Sequence, residues 1–101
     1  MLKFEGWRGG QAQPISKEEL SVGAAAVSPA GPVGAYDFAW VEIETVPMRL
    51  WVDGSTPTPT SGHYYSPGVV DLLTSLEIKN LKIISVTGGT GTFRLTYYKF
   101  L

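Results

Sequence analysis

Residues 38–52, FAWVEIETVPMRLWV, hold two short runs in which apolar and polar side chains alternate. In the first run, Ala39, Val41 and Ile43 alternate with Trp40 and two glutamates. A period of two is typical of a strand that buries one face and exposes the other. Pro47 then interrupts, and MRLWV predicts a second strand over residues 48–52, with apolar residues on one face and an arginine and a tryptophan on the other.

Apolar, β-branched and aromatic runs bounded by turn residues predict further strands along the chain. Strands are predicted over residues 19–23, 69–73 and 92–100, and across LEIKNLKIISV at 76–86 with a break at Asn80. TGGTG at residues 87–91 is interpreted as a hairpin connection. No long helix is predicted. The expected fold is all-β, an antiparallel β-sandwich or small barrel of six to seven short strands.

The first fourteen residues, MLKFEGWRGGQAQP, show neither strand nor helix periodicity. We therefore divide the chain into an N-terminal arm, residues 1–14, and a single β domain, residues 15–101. Phe4 and Trp7 are costly to leave in water, so the arm is expected to lie on its own surface or a neighbour's, with Arg8 as a further partner contact. The next segment, ISKEEL, has a helix-start signature, but a strand over 19–23 is favoured.

The composition of the 101 residues reduces the number of function classes that the chain can belong to. The net charge is −1, with no basic stripe of the kind that nucleic-acid binders use to neutralise phosphates. There is no cysteine and no apolar run near the roughly 20 residues of a membrane helix. We therefore predict no nucleic-acid partner and no membrane span. The charged start also argues against a signal peptide. Charged residues make up only 17%, which hints at burial against a protein partner.

Between the predicted strands lies a proline-rich stretch, DGSTPTPTSGHYYSPG, residues 53–68. Asp53 can accept backbone N–H bonds in an Asx-turn, and Gly54 permits a positive φ. Pro57 holds the chain extended, and threonine hydroxyls satisfy nearby backbone groups. We expect a stiff structural loop in which Asp53 makes its hydrogen bond in a buried setting. Its residues are Asp53, Gly54, Thr56, Pro57, Thr58, Gly62 and His63.

Catalysis is disfavoured by the same stretch. His63 is the only histidine, and although Ser61, Ser66 and Asp53 are near in sequence, no nucleophile-elbow motif is present. A single histidine without cysteine makes a zinc site improbable. TGGTG lacks the lysine and the following helix of a phosphate loop. We predict no enzyme activity, no metal and no cofactor; His63 is expected to bond loop carbonyls or to lie at an interface.

Two other groups of side chains allow more than one interpretation. Glu42 and Glu44, about 6.6 Å apart along a strand, match the carboxyl spacing of a glycosidase, but an ordinary solvated strand face is favoured. The aromatic residues near the loop can form a platform for a sugar or for a protein partner, or can belong to the core. They are Trp40, Trp51, Tyr64 and Tyr65.

Read from residue 39, AWVEIETVPMRLWVDGSTPTPTSGH resembles a set of small tailed-bacteriophage virion proteins that carry an A-x-V-E-x-E-T-x-P-I-R-Y-x-x-D-G-T-x-P-T-x-x-x-G-H run and a terminal V-T-Y-Y. The resemblance covers about residues 20–100. The matching positions are Val41, Glu42, Glu44, Thr45, Pro47, Arg49, Asp53, Gly54, Pro57, Thr58, Gly62 and His63, and, at the end, Leu95-Thr96-Tyr97-Tyr98-Lys99.

This resemblance implies a non-enzymatic virion structural protein, a late protein made in the host cytoplasm. Within that class we favour a capsid decoration or cement protein. Its partners would be copies of itself, as a homo-oligomer, and other virion proteins, either the major capsid protein or a tail or connector protein.

A second resemblance, over residues 53–65, is to the fibronectin-associated domain at the C-terminus of chitobiase-like enzymes, with its Y-T-x-D-G-S-x-P-T-x-x-S-G-x-x-Y run. That domain is also a β-sandwich without catalysis. It implies the alternative function, a carbohydrate-binding accessory or adhesion module of a tail or cell surface, which would use Trp51, Tyr64 and Tyr65.

Overall fold

The computed structural model describes residues 11–101, which form seven strands and one short helix. The strands make two antiparallel sheets, in the orders β1-β7-β2-β5 and β4-β3-β6. The predicted all-β class and strand number are confirmed, and the two separate sheets make the fold a sandwich. In chain order the elements are β1 (Ala12–Val22), β2 (Phe38–Glu44), β3 (Met48–Trp51), β4 (His63–Tyr65), β5 (Val70–Thr74), α1 (Ser75–Lys79), β6 (Lys82–Ser85) and β7 (Gly91–Phe100).

The core lies between the two sheets and follows the alternation in the sequence. On β2, the predicted inward residues Ala39, Val41 and Ile43 are fully buried. β3, the second strand predicted to alternate, buries every second residue in the same way, and so does β7 over most of its length. Because residues opposite each other on paired strands lie on the same face of their sheet, the buried residues of each sheet form one apolar face. The two apolar faces pack together as the core. Its other members include Met48, Leu50, Ile83, Phe93, Leu95 and Tyr97.

The chain passes from one sheet to the other at a tight corner between β2 and β3. Thr45 adopts a φ of 83° there, unusual for a β-branched residue. The backbone of Gly91, where β7 begins, packs against this corner so closely that a Cβ would lie 2.6 Å from the Glu44 carbonyl oxygen. Pro47 accepts a hydrogen bond from the Val86 amide at 3.0 Å. The corner therefore depends on a residue without a side chain at position 91.

Two predictions about the second half of the chain are wrong. TGGTG is not a hairpin, because β6 pairs with β3 in one sheet whereas β7 pairs with β1 and β2 in the other. Residues 75–79 are helical, not extended. Thr74 caps α1 by accepting from the Glu77 amide, and the Glu77 carboxylate accepts from the Thr74 amide in return. This capping box, T-S-L-E, outweighs the strand propensity of Leu76 and Ile78.

The boundary between arm and domain also needs correction. β1 begins at Ala12, and Ala12, Gln13 and Pro14 pair with the last residues of β7. Residues 12–14 therefore belong to the sheet, because the strand predicted over 19–23 starts seven residues earlier. The helix start proposed at ISKEEL does not form. Pairing of ten β1 residues with β7 supplies more partners than one helical turn would.

Candidate interaction surface

The proline-rich loop folds back over the outer face of the three-stranded sheet. Ile84 lies opposite Arg49 in the register of β3 and β6, so both side chains point away from the sandwich core. Ile84 is nevertheless buried, and Pro57 in the loop is fully buried. Since the Arg49 side chain also bonds the loop, we infer that the loop covers this face.

Arg49 holds the loop to the sheet. Its guanidinium donates one hydrogen bond to the Gly62 carbonyl at 2.8 Å and another to the Pro59 carbonyl at 3.0 Å. At Gly62, φ is 130° and a Cβ would lie 3.2 Å from the Arg49 Cβ and from the Leu50 amide nitrogen. A planar guanidinium that donates to two carbonyls fixes both the orientation of the loop and its distance from β3.

The start of the loop is the predicted Asx-turn. The Asp53 carboxylate accepts the Ser55 amide at 3.0 Å, and Gly54 has a φ of 89°. Hydrogen bonds from the Ser55 backbone and hydroxyl lower the pKa of Asp53 below its ordinary value. The predicted buried setting is wrong, because Asp53 is exposed at the loop's outer edge. Water can therefore hydrogen-bond to the Ser55 amide in place of the Asp53 carboxylate.

The tip of the loop is a second, self-bonded turn. Thr58 and Ser61 exchange two backbone hydrogen bonds, at 3.0 and 3.1 Å. The Thr58 hydroxyl also accepts the Thr60 amide at 3.3 Å. The Lys82 ammonium lies 3.5 Å from the Thr56 hydroxyl. The Thr58 hydroxyl thus serves the loop's own backbone, as predicted, whereas the Thr56 hydroxyl contacts a lysine side chain, and the tip stays exposed to solvent.

Three of the predicted partner contacts lie beside this loop, and they divide into two kinds. Tyr64 is 54% exposed, with the Arg49 guanidinium 5.3 Å from its ring centroid. Trp51 is half-buried and meets the His63 ring edge-on at 5.1 Å. Tyr65 instead packs against the core and donates a hydrogen bond to Asp71 at 2.8 Å. Trp51 and Tyr64 are therefore available to a partner, while Tyr65 is structural.

The Tyr65–Asp71 bond bridges the open side of the sandwich, because β4 and β5 belong to different sheets. Burial, together with the bond to Asp71, raises the pKa of Tyr65 well above its ordinary value. A groove of about 430 Å³ lies along this opening. Apolar side chains form part of it, and His63 and Glu77 also line it.

His63 does not assemble a catalytic group. Its ring contacts Trp51 and lies in an exposed strand position, and among residues 11–101 no serine hydroxyl or carboxylate is hydrogen-bonded to it. The predicted bond to loop carbonyls is likewise absent from this part of the chain; Arg49 makes those bonds instead. In the same range, no group of three histidine, cysteine or acidic side chains is placed to hold a metal ion.

Glu42 and Glu44 form part of an ion-pair network on the outer face of the four-stranded sheet. Arg94 lies between them and Glu19, and its guanidinium pairs with all three carboxylates. The hydrogen bonds that Arg94 donates to the Glu44 and Glu19 carboxylates raise the pKa of Arg94 further above its already high value. The two glutamates are therefore occupied by a cation on a solvated strand face, the arrangement that was favoured over a glycosidase pair.

Sequence reasoning missed the role of Glu18. Its carboxylate accepts hydrogen bonds from the Ala30 amide at 2.8 Å, the Gly31 amide at 3.1 Å and the Tyr97 hydroxyl at 2.6 Å. Burial acts to raise the pKa of Glu18, but these three bonds lower it overall. Glu18 thus ties the glycine- and proline-rich segment 28–34 to the sheet. No local motif marks a carboxylate that bonds amides twelve residues away.

The remaining predicted contacts, Phe4, Trp7 and Arg8, lie outside the described residues. Over residues 11–101, the structure has no helix of the length and apolar character required to cross a membrane. Comparison of the chain with protein-family models, with curated proteins and with solved structures finds no match to any of them.

Proposed function

We propose that this chain is a non-enzymatic structural protein of a tailed-bacteriophage virion, and most specifically a capsid decoration or cement protein. It would act through contacts with copies of itself and with the shell protein. The strongest support is the structural role, in the proline-rich loop, of the motif residues that the chain shares with phage virion proteins. Arg49, Asp53, Gly54, Pro57 and Gly62 all shape or anchor the loop.

A loop fixed in advance suits repeated contact in an assembly. Ordering one backbone residue costs about 1–2 kcal/mol, so a ten-residue loop ordered only on contact would weaken every copy of the interface. Here Arg49 and the turn at Thr58–Ser61 order the loop in the isolated chain. The exposed rim of the loop, with the Tyr64 ring beside it, then offers a preformed surface.

The proposal is tested by purifying particles of a phage that encodes this chain, with its gene intact and with the gene deleted. Quantitative mass spectrometry is expected to find the chain in intact particles at a fixed ratio to the major capsid protein. Particles made without the gene are expected to be less resistant to heat than intact particles. Adding the purified chain is expected to restore that resistance. A chain absent from washed particles would refute the proposal.

A carbohydrate-binding accessory or adhesion module is the second candidate. It is favoured by the exposed ring of Tyr64, which lines the groove together with His63, and by the Trp51 ring, which contacts His63 edge-on. Aromatic faces beside polar groups are common in small-ligand sites. Titration calorimetry against host cell-wall glycans separates the candidates, because saturable binding abolished by Tyr64→Ala would favour this alternative.

A further inference from the structure

Three of the four sheet edges are closed to another strand or very short. Along β6, Val27 exchanges two backbone hydrogen bonds of 2.9 Å with Ile83. Along β5, the Leu72 amide donates to the Asp71 carboxylate at 2.7 Å, and the capping box of α1 occupies the next outward amide. β4 is only three residues long. Covered, capped and short edges all resist the addition of a further strand.

β1 forms the fourth edge, and the register shows which of its backbone groups face outward. Ile43 of β2 bonds residues 68 and 69 beside β5 through its carbonyl and amide, so the next residue, Glu42, turns its own groups toward β7. Arg94 lies opposite Glu42, and Glu19 lies opposite Arg94 on the other side of β7. Because Arg94 turns its backbone groups to β2, the amide and carbonyl of Glu19 point away from the sheet.

Three residues of β1 present this open edge. Lys17 and Ser21, two positions to either side of Glu19, have the same orientation, because the register between residues 16 and 22 is unbroken. All three are exposed, and within residues 11–101 no hydrogen bond reaches their outward backbone groups. The β-bulge and Pro14 disrupt only the start of the strand, before this stretch. An exposed edge of this kind is a template for pairing with another strand.

The charges on this edge are self-complementary. When two copies of β1 pair antiparallel about a two-fold axis through residue 18, Lys17 of each copy lies opposite Glu19 of the other on the same face. Glu19 also pairs with Arg94, but 59% of its side chain stays exposed and open to a second cation. A register shifted by two residues places Glu19 opposite Glu19 or Lys17 opposite Lys17. Since like charges in opposed positions are unfavourable, the sequence selects one register.

Glu18 meets its own copy at this axis, but its carboxylate is directed elsewhere. It lies on the inner side of β1 and accepts the Ala30 and Gly31 amides and the Tyr97 hydroxyl. Three donors hold the charge in place and offset it, so Glu18 does not prevent the two strands from approaching.

We propose that residues 16–20 of β1 are the contact between two copies of this chain, which join their four-stranded sheets edge to edge into one continuous sheet. This deepens the proposed function and rests on its element of self-association. Each Lys17–Glu19 pair exchanges backbone hydrogen bonds as well as opposite charges. The contact is isologous, so it closes as a dimer. Because it is small, we expect a Kd of about 0.1 mM, and the dilute chain is a monomer.

Amide hydrogen exchange, read residue by residue by NMR, tests the edge without any substitution. Between dilute and concentrated samples, the amides of Lys17 and Glu19 are expected to slow by about tenfold or more as the dimer forms. The amides of Glu18 and Leu20 already bond β7 in the monomer, so their exchange is expected to change little. Sedimentation velocity over the same concentrations is expected to show a monomer–dimer equilibrium.

Charge substitutions test the register. Lys17→Glu and Glu19→Lys each create two like-charge pairs at the axis and are expected to raise the Kd of the dimer by about tenfold. Mixing the two variants restores two opposite-charge pairs, so a heterodimer is expected. A chain with both substitutions is expected to dimerise like the unmodified chain. Lys79→Glu is the matched control, because it changes the net charge equally at an exposed position of α1, which contacts β2 and β5 rather than β1.

The inference is overturned if the concentrated, unmodified chain stays a monomer, or if a dimer forms in which the Lys17 and Glu19 amides exchange as in the monomer. A mixture that associates no better than its components also overturns it. Protection of the edge amides only on virus particles would show that another protein occupies the edge in place of a second copy. Binding of a monomer to particles would still support the proposed function, so the two failures are distinguishable.

Discussion

Replacing Arg49 with methionine is the change that most sharply tests whether the loop is ordered in advance. Methionine keeps most of the apolar stem and removes the guanidinium that bonds the Gly62 and Pro59 carbonyls at 2.8 and 3.0 Å. Hydrogen bonds to charged groups contribute about 1.5–3 kcal/mol each. Because the bond to Pro59 is exposed to solvent, we expect a combined loss of about 2–3 kcal/mol in the free energy of unfolding.

Urea denaturation measures that loss, and amide hydrogen exchange locates it. We expect exchange to accelerate over residues 55–62 while the amides of β2 and β7 stay protected until global unfolding. Arg49→Lys should restore little, since a single ammonium cannot reproduce the planar fork. Lys17→Met, which removes a cation from an exposed position on β1, is the control and should change stability by less than about 0.5 kcal/mol.

A loss below about 0.5 kcal/mol for Arg49→Met, with unchanged exchange over residues 55–62, would refute the reasoning. The loop would then be held by Pro57 and its own turns, and the arginine of the shared motif would need another explanation.

Three further changes test other parts of the structure. Gly91→Ala places a Cβ 2.6 Å from the Glu44 carbonyl oxygen and should cost about 2–3 kcal/mol by urea denaturation, whereas Gly23→Ala, whose nearest neighbour would be 3.8 Å away, should be nearly neutral; equal effects would contradict the packing of the corner. Tyr65→Phe should cost about 1–2 kcal/mol because it removes the hydroxyl that donates to Asp71 Oδ2 and leaves that carboxylate with only the Leu72 amide as donor, and Tyr64→Phe should cost almost nothing; the reverse order would exclude Tyr65 as the bridge between the sheets. Because folding lowers the pKa of Glu18, its contribution to stability is fully present above the ordinary glutamate pKa of about 4.3 and is lost as the pH falls through the lower folded pKa. Denaturation midpoints measured from pH 6 to pH 2.5 should therefore fall less steeply in Glu18→Gln than in the unmodified chain. Identical slopes would argue against this role of Glu18.

Much of the fold follows from local pattern. The alternation in β2, β3 and β7 identifies both the strands and their buried faces, because a period of two leaves one assignment of the core. Pairing between distant strands does not follow in this way. TGGTG has the composition of a hairpin, yet it connects two sheets, and the packing of Gly91 against the distant β2–β3 corner is not visible in that local composition.

The candidate surface was predictable in part. The turn at Asp53–Gly54 could be identified because Asx-turns are specified by adjacent residues. The partner that anchors the loop, Arg49, lies on a strand ten to thirteen residues earlier, and no local signal links it to the loop carbonyls.

The central proposal, that the chain decorates a capsid, is tested most directly by cryo-electron microscopy of particles with the gene intact and with the gene deleted. The difference map is expected to show density of about 11 kDa per copy at regular positions on the outer surface of the shell, bridging neighbouring shell subunits. Difference density confined to the tail, or no difference between the two particles, would contradict it.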